Sequence, residues 1–425
     1  MTRPVFIVDG ARTPFQPTLG TESAFSAADL AVQCGQQLLL RQPVPGDAIG
    51  MAIVATAPTE TEGDLAREAV QRLELPPSCQ TLTLRDNCGA GMQALNLALC
   101  MVSEGHKDIV LVGGADVPSR APMVYRSEAS SWFGEVASRR APLSRVRALA
   151  DGHPEYLLPV RAPGRKPDGP ASNPALIRAA ETAAYRFGID RASTDAYAAQ
   201  SHARLSDAIA AGRVEAEVVP AFHADGKVTS SDRALAHVSA ERLARLSPLT
   251  DAPFGSLTTG NAAVPGEGAC WLMVASEAAV DDFGLTPIAR VSDSAIAGAQ
   301  EADAGIAPIM AALPAMARNG WTARDVGLWE IKESTAAQVL ACAAAAQDDA
   351  FCRDTLGLDG ASGAIDPDRL NVDGGAIALG LPVGADCCRM VLHLAHAMGN
   401  RGVNKGVAMA SIGGGQGAAL LMEPA

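Results

Sequence analysis

Apolar positions along the N-terminal part of the chain recur with two different periods. Short β-branched runs predict strands at residues 5–8, 51–55, 81–84 and 108–112. Helical spacing predicts helices at residues 24–40, 64–73 and 92–102. Strands that alternate with helices favour a mostly parallel sheet that is covered on both faces. We therefore predict an α/β fold.

The C-terminal part repeats this alternation. Its predicted strands lie at residues 269–275, 327–331 and 406–412, and its predicted helices at residues 306–319, 334–345 and 385–398. In each part a glycine-rich turn leads into an amphipathic helix, and the next strand stops at a glycine pair or triplet. We interpret the chain as two α/β halves that arose by duplication, with their glycine turns meeting between them.

Residues 120–170 interrupt the pattern. They are rich in Arg, Pro, Ser and Gly and show little periodicity, which predicts a long excursion over the surface. Two helices are predicted to follow, at residues 174–187 and 191–211. The basic residues of this segment fit either a solvated loop or a seat for an anionic ligand such as a nucleotide phosphate. They are Arg139, Arg140, Arg145, Arg147, Arg161, Arg165 and Lys166.

Composition excludes several classes of protein. Hydrophobic residues make up 48% of the chain and charged residues 19%, which is too apolar for a disordered protein. A net charge of −13 without a basic block argues against nucleic acid as a partner. Because no long apolar run or apolar leader occurs, we expect neither a spanning helix nor secretion. Nine cysteines without zinc spacing indicate reduced thiols in the cytoplasm and no metal site.

Cys88 is the residue with the clearest chemical potential. It lies between a predicted strand and a predicted helix, beside Gly89 and Gly91. A helix N-terminus offers free N–H groups and positive potential, which lower the pKa of a thiol and stabilise an oxyanion. Small neighbours also let a substrate approach the backbone. The pattern predicts a catalytic nucleophile, with an inert buried thiol as the alternative.

Seven motifs resemble those of the thiolases, which cleave 3-ketoacyl-CoA or condense two acyl-CoA units. The nucleophile motif is NCGAGMQALNLA at residues 87–98. The others are ARTPF (11–15), GGADVPS (113–119), AAQSHARLSDAIAAGRVEAEVVP (198–220), LTTGNAAVPGEGACWLMVASE (257–277), NVDGGAIALGLPVGADCCRM (371–390) and ASIGGGQGAALLME (410–423). Together they extend over nearly the whole chain.

The resemblance implies a five-layer αβαβα fold with two duplicated halves and an inserted loop domain. We expect the N-terminal half at residues 1–119 with strands re-entering around 250–275, the loop domain at 120–249, and the C-terminal half at 276–425. The resemblance also implies a CoA thioester as substrate, no covalently bound cofactor, and a homodimer or homotetramer. The motifs are closest to fatty-acid-oxidation thiolases, which adds the expectation of a fatty-acid-oxidation partner subunit.

Three positions depart from the catalytic pattern of that family. Leu381 replaces the histidine that activates the nucleophile, and Ser411 replaces the second cysteine, which moves the α-proton. Lys332 stands at the asparagine that orients a water or the oxyanion. Cys88 keeps the nucleophile position, and Gly413 keeps a backbone N–H for the oxyanion. Loss of both proton-handling residues should cost at least about 10²–10⁴-fold in Claisen chemistry.

The resemblance also assigns residues to the CoA side of the site. Thr259, Gly260 and Ala263 are expected to line the pantetheine, with Ala263 in place of a serine. Leu176 takes the place of a loop-domain methionine.

Lys332 leaves three interpretations open. If it is desolvated, its pKa falls and it could act as the missing base. If it stays charged, it could lower the pKa of Cys88 or bind an oxyanion. The third interpretation is a purely structural role, in which Lys332 forms an ion pair with Glu330 or Glu333.

Three functions are compatible with these residues. The first is a divergent thiolase-type acyltransferase that forms an acyl-Cys88 intermediate from acyl-CoA or 3-ketoacyl-CoA. The second is an inactive homologue that binds acyl-CoA or scaffolds a complex. The third is a cysteine-dependent acyl-CoA hydrolase, in which water replaces the second acyl unit. Retention of Cys88 favours the first and third, and we predict the first.

Overall fold

The computed structural model describes residues 3–18, 22–57, 63–161, 173–233, 238–250 and 255–425. The strands of these ranges, in chain order, are β1 (Val5–Arg12), β2 (Gln16–Pro17), β3 (Met51–Ala55), β4 (Gln80–Leu84), β5 (Ile109–Asp116), β6 (Met123–Val124), β7 (Val160–Arg161), β8 (Ala221–Phe222), β9 (Val228–Thr229), β10 (Gly266–Ser276), β11 (Ala289–Gly298), β12 (Leu328–Ile331), β13 (Gly406–Gly413) and β14 (Gln416–Glu423).

The helices of the same ranges complete the α/β pattern that the sequence predicts. In chain order they are α1 (Ala27–Arg41), α2 (Leu65–Arg72), α3 (Ala90–Ser103), α4 (Ser127–Ser138), α5 (Pro142–Ala150), α6 (Pro174–Arg186), α7 (Arg191–Ala210), α8 (Ala240–Leu243), α9 (Glu277–Phe283), α10 (Ala307–Arg318), α11 (Ala336–Ala345), α12 (Ala376–Leu379) and α13 (Asp386–Arg401). None of these helices has the length and apolarity needed to span a bilayer.

The main sheet is mixed, and the prediction of a mostly parallel sheet is wrong. Its strands lie in the order β12-β13-β14-β11-β1-β10-β5-β3-β4, with β2 paired to β10. Between the described strands of this sheet, parallel pairing occurs only for β3 with β4 and β5 and for β12 with β13, apart from isolated bridges to loops. The strands in the middle of the sheet are antiparallel because β14 follows β13 through a tight turn. In addition, β10 returns from the segment that follows α8.

The same order of pairings occurs twice in the sheet. Strand β5 pairs parallel with β3 and antiparallel with β10, which pairs with β1. Strand β13 likewise pairs parallel with β12 and antiparallel with β14, which pairs with β11. Strands β1 and β11 join the two sets. This repetition agrees with duplicated halves, whereas the residue boundaries given above stay a prediction.

Three buried apolar clusters set the layers of the fold. One cluster joins α1 and α2 to the strands of the first set, and another joins α10 and α11 to those of the second. The third places α3 and α13 in contact with each other and with strands of both sets. One helix pair therefore covers the outer face of each set of strands, and the third pair lies between the two sets. This is the order of layers in a five-layer αβαβα arrangement. The central pair α3 and α13 carries the residues of the site described below.

The described part of the segment predicted as an excursion lies at the surface, but it contains two helices, so the prediction that it is aperiodic is wrong. Helix α4 packs on α5, and Trp132 Nε1 donates to the Ala148 carbonyl at 2.7 Å. The buried position of α5 is the small Ala148, while its larger apolar residues face outward. The sequence consequently lacks the inward apolar stripe by which helices are predicted. Arg165 and Lys166 lie outside the described residues.

Buried ion pairs tie the segment after α7 to the core. Arg12 Nη1 lies 2.7 Å from Asp232 Oδ1, and its Nη2 lies 2.8 Å from Glu217 Oε1. Glu217 Oε2 lies 3.2 Å from His393 Nδ1, and Asp373 Oδ2 lies 3.4 Å from His393 Nε2. Burial alone would lower the pKa of His393, but Glu217 and Asp373 together raise it to about 10. His393 therefore carries a charge that these carboxylates balance.

Candidate active site

The nucleophile turn connects β4 to α3. Cys88 lies in a 3-10 turn, Asn87–Gly89, directly before the first residue of α3, and is half-buried. Gly89 faces β13 so closely that a Cβ there would overlap the backbone of Ile412. Only glycine permits this approach, which brings the turn against the end of β13. The sequence prediction of a cysteine at a helix start beside glycines is confirmed in its geometry.

Lys332 lies beneath this turn. It follows β12 directly, and its side chain is fully buried. Its Nζ donates to the carbonyl of Cys88 and lies 3.6 Å from Cys387 Sγ and 3.8 Å from Asp386 Oδ2. Burial acts to lower the pKa of Lys332, but Cys387, Asp386 and Cys88 outweigh it and raise that pKa. Lys332 is therefore a fixed cation, which argues against its role as a desolvated base.

Asp386 is the carboxylate partner of Lys332, so the expected ion pair with Glu330 or Glu333 is wrong. Arg389 donates to Asp386 Oδ1 from Nε at 3.1 Å and from Nη2 at 2.8 Å. Arg389 Nη1 also lies 3.5 Å from Glu330 Oε2. Glu333 is occupied elsewhere, because its carboxylate accepts from the hydroxyls of Tyr197 and Ser201 and from the amide of Asn371. A row of buried ionisable groups thus runs from Lys332 through Asp386 and Arg389 to Glu330, where burial raises the pKa of the carboxyl group to about 7.

The environment of Cys88 does not favour a free thiolate in the resting protein. Burial raises the pKa of the Cys88 thiol, and the nearby carboxylates of Asp116 and Asp386 add to that rise. The charge of Lys332 acts in the opposite direction. The prediction that the helix start would lower this pKa is wrong, because desolvation of the thiolate outweighs the favourable potential. Lys332 is the group that limits the rise.

Leu381 is packed as a core residue. It is buried in a small apolar cluster with Ala263, Ala376 and Val383. Its backbone N–H donates to the Val264 carbonyl at 2.8 Å, and its carbonyl accepts from Gly266 N at 3.1 Å. The loop that carries it is therefore held by the strand segment leading into β10.

Asp116 anchors that loop to the N-terminal set of strands. It ends β5, and its Oδ1 accepts from Ala57 N at 2.6 Å and from Thr56 Oγ1 at 3.0 Å. Its Oδ2 accepts from the N–H of Gly384. Burial raises the pKa of Asp116 to about 6, against these hydrogen bonds. A single carboxylate thus connects two strand ends of one half with the start of α13 in the other.

Ser411 and Gly413 flank the residue that contacts the nucleophile turn. Both belong to the end of β13, on either side of Ile412, and Ser411 is buried. Gly413, Gly414 and Gly415 have φ angles of +96°, +61° and +77°, which only glycine adopts readily. This turn reverses the chain from β13 into β14. The backbone near Cys88 therefore includes the residues that the sequence analysis selected from the C-terminal glycine motif.

Two family models match this chain over most of its length. The model "Thiolase, N-terminal domain" matches residues 5–162 and 172–278, and "Thiolase, C-terminal domain" matches residues 285–424. The chain belongs to the thiolase family. The predicted family and the predicted acyltransferase class are therefore confirmed.

Full-length relatives agree with this assignment. A probable acetyl-CoA acetyltransferase of Escherichia coli (strain K12) is 34% identical and covers 99% of this chain and 98% of that protein. The mitochondrial 3-ketoacyl-CoA thiolase of Rattus norvegicus is 31% identical, with 100% and 99% covered. The crystal structure of human mitochondrial 3-ketoacyl-CoA thiolase matches with a TM-score of 0.80 at 28% identity, over 100% of this chain and 99% of that chain. The predicted α/β thiolase fold is confirmed.

The four residues assigned to the CoA side of this thiolase range from buried to exposed. Ala263 joins Leu381 in the apolar cluster, and its N–H donates to Ser334 O at 3.1 Å. Thr259 is exposed and Gly260 half-buried, in the loop that packs on α7 and α8. Leu176 is half-buried at the start of α6, a helix that packs on α11. Their contacts with a substrate stay predictions.

Sequence reasoning missed three residues of this thiolase site. Asp386 and Cys387 lie within four ångströms of Lys332 Nζ, at 3.8 and 3.6 Å. Asp116 holds the loop of Leu381. Asp116 and the other two are part of motifs quoted above, but their spacing in the chain gives no sign that they converge. An unusual lysine after a buried strand was the one available signal, because a buried lysine requires a carboxylate.

Proposed function

We propose that this thiolase transfers acyl groups from acyl-CoA or 3-ketoacyl-CoA through a thioester on Cys88, with reduced Claisen activity. The relatives named above are an acetyl-CoA acetyltransferase and a 3-ketoacyl-CoA thiolase, and a human mitochondrial 3-ketoacyl-CoA thiolase has been solved in complex with CoA. These names support a CoA thioester as the substrate. No covalently bound cofactor enters the proposed reaction.

The observation that carries the proposal is the Cys88 turn with Lys332 beneath it. With acyl-CoA, a bond forms between Cys88 Sγ and the acyl carbon, the bond from that carbon to the CoA sulfur breaks, and the thiol proton of Cys88 is matched by the proton taken up by the departing CoA thiolate. With 3-ketoacyl-CoA, Cys88 Sγ bonds to C3, the bond between C2 and C3 breaks, and C2 of the departing acetyl-CoA takes up the proton. Lys332 holds the turn through the Cys88 carbonyl, and its charge favours the thiolate that must form.

Reduced Claisen activity is expected from the residues at the positions that the family resemblance assigns to proton transfer. Leu381 can neither accept nor donate a proton, and it is sealed among apolar side chains. The hydroxyl of Ser411 is a poor base at neutral pH. A cationic Lys332 does not replace either group, because its pKa is raised. General acid–base help is worth about 10²–10⁴-fold, so acyl transfer to Cys88 should outlast carbon–carbon bond formation.

The remaining residues have supporting roles in the proposal. Gly413 supplies a backbone N–H for the oxyanion, and Thr259, Gly260, Ala263 and Leu176 line the path of the pantetheine. A homodimer or homotetramer in the cytoplasm, with a fatty-acid-oxidation subunit as a further partner, completes the expected setting. Light scattering coupled to gel filtration measures the oligomeric state.

The direct test is acylation of Cys88. The protein is incubated with acetyl-CoA and with longer acyl-CoAs, and the added mass is located by intact-mass spectrometry and peptide mapping. We expect one acyl group on Cys88, its loss in Cys88→Ala, and its retention in Cys100→Ala, which removes the exposed cysteine of the following helix α3. Absence of acylation with every acyl-CoA would overturn the proposal in favour of an inactive homologue. Steady release of CoA without an acyl acceptor would indicate the hydrolase instead.

A further inference from the structure

Large apolar side chains are concentrated on the surface of one segment. Of the fourteen that are exposed in the described residues, seven lie between residues 125 and 158. They are Tyr125, Phe133, Leu143, Val146, Leu149, Leu157 and Leu158. This segment holds α4, α5 and the turn after them, which pack on one another and contribute nothing described to the Cys88 site. A surface cluster of this kind marks a site of interaction.

Helix α5 shows the clearest pattern. Leu143, Val146 and Leu149 are 70%, 64% and 49% exposed, although they are its largest apolar residues. At about 100° per residue they occupy one face of the helix, roughly 120° wide. Ala148 lies on the opposite face, where it is buried against α4 and accepts the hydrogen bond of Trp132. The apolar face of α5 therefore points away from the protein.

Two arginines border this apolar face. Arg145 and Arg147 fall on its two sides at the same angular spacing, and both are exposed. Neither has an ion-pair partner among the residues that the structure describes. An apolar strip with basic residues along both margins is the pattern of a helix that lies in the interface of a lipid bilayer. The arginine stems can reach outward to headgroups while the strip enters the acyl region.

Charge selects the partner of this surface. Residues 120–161 contain seven arginines and four acidic residues, whereas the whole chain has a net charge of −13. Two copies of this surface brought face to face would place like charges opposite each other. Anionic headgroups would be attracted to it and repelled by most of the rest of the protein. We propose that the outward face of α5, with its flanking arginines, docks this thiolase reversibly on a phospholipid surface that carries anionic headgroups.

Vesicle flotation with the full-length protein tests the proposal. Vesicles of equal parts phosphatidylglycerol and phosphatidylcholine are compared with vesicles of phosphatidylcholine alone, at low and at high salt. We expect binding to the anionic vesicles that weakens with salt. The triple variant Leu143→Ser/Val146→Ser/Leu149→Ser should reduce it by at least about tenfold, because three apolar side chains no longer enter the bilayer. The variant Arg145→Gln/Arg147→Gln should reduce it by about fivefold per arginine and flatten its salt dependence.

A matched control removes apolar surface elsewhere. Leu40→Ser/Phe222→Ser/Val228→Ser also loses three exposed side chains, outside the segment, and should bind vesicles as the unmodified protein does. Acylation of Cys88 should stay unchanged in every variant, which separates this proposal from the proposed function. Equal binding to both kinds of vesicle, or none to either, overturns it. If the triple variant instead changes the sedimentation coefficient without vesicles, the face is a contact between copies and the proposal is wrong.

Discussion

The two halves of the site differ in what they retain. The nucleophile turn of the first half keeps its cysteine, its glycines and its position at the start of α3. The loops of the second half keep their glycines but hold Leu381 and Ser411 at the positions that the family resemblance assigns to proton transfer. Under the proposed function, acyl acceptance uses the first half, whereas the positions that the family resemblance assigns to proton transfer lie in the second. Proton transfer can therefore be lost while acyl acceptance and the packing between the two halves remain.

The second half contains a group of buried charges next to the nucleophile turn. Lys332, Asp386 and Cys387 form a compact buried group under the turn, and Arg389 and Glu330 extend it. A buried cation with this many partners is costly to break, because removal of one partner leaves the other charge uncompensated. The nucleophile turn with Cys88 and the buried charged group beneath it can be tested separately by substitutions.

Removal of the Lys332 charge should have the largest effect. In Lys332→Met the thiol of Cys88 loses the one nearby charge that lowers its pKa, and its carbonyl loses a donor. We expect the rate of Cys88 acylation at pH 7 to fall roughly ten- to hundredfold and its pH midpoint to move upward. Acylation rates measured across pH with acetyl-CoA report both changes.

The double variant Lys332→Met/Asp386→Asn serves as the control for misfolding. Asp386 keeps Arg389 as a partner in the single variant, whereas the double variant leaves Arg389 with Glu330 alone and should unfold at a lower temperature than the single variant. Its pH midpoint should stay raised, because the cation is still missing. A midpoint that does not move in either variant would show that Lys332 supports the fold only.

Restoration of a base should have a smaller effect in the opposite direction. Leu381→His places an imidazole in the loop that Asp116 anchors, and we expect thiolysis of a 3-ketoacyl-CoA to rise by about tenfold. The gain should be modest, because the surrounding cluster is apolar and Ser411 still stands at the second proton-handling position.

Leu381→Met is the matched control for this prediction, since it keeps an apolar side chain of similar volume. Its thiolysis rate and melting temperature should remain close to those of the unmodified protein. If Leu381→His folds as well as this control but shows unchanged thiolysis, the missing imidazole does not limit the reaction.

Much of the fold could be predicted from periodicity. Most strands and helices of both halves lie close to their predicted positions, because their buried faces follow regular spacing. Strand β11 and helix α9 were not predicted, and only Ala289 and Val291 of β11 are buried. The mixed pairing of the sheet could not be predicted in this way, because strand direction depends on how distant segments return. Helix α5 escaped prediction for the reverse reason: its large apolar residues face outward.

The site was less accessible to sequence reasoning than the fold. Cys88 could be predicted from its local sequence, because it lies beside two glycines at the start of a predicted helix. Asp386, Cys387 and Asp116 do not, because their role depends on contact across the two halves. The sign of the shift in the pKa of Cys88 likewise depends on burial, which a motif does not reveal.

The smallest expected effect concerns stability alone and lies in the second half. The pKa of His393 is raised from 6.5 to about 10 in the folded protein by Glu217 and Asp373, in spite of burial. A raised pKa stabilises the fold below pH 6.5, and this contribution is lost as pH rises towards 10. The melting temperature should therefore fall by a few degrees over that range, and less steeply in His393→Gln.

His396→Gln on the same helix is the control and should keep the original slope of melting temperature against pH. Cys88 acylation should survive in both variants. Equal slopes in all three proteins would show that His393 is not the charged partner of these carboxylates.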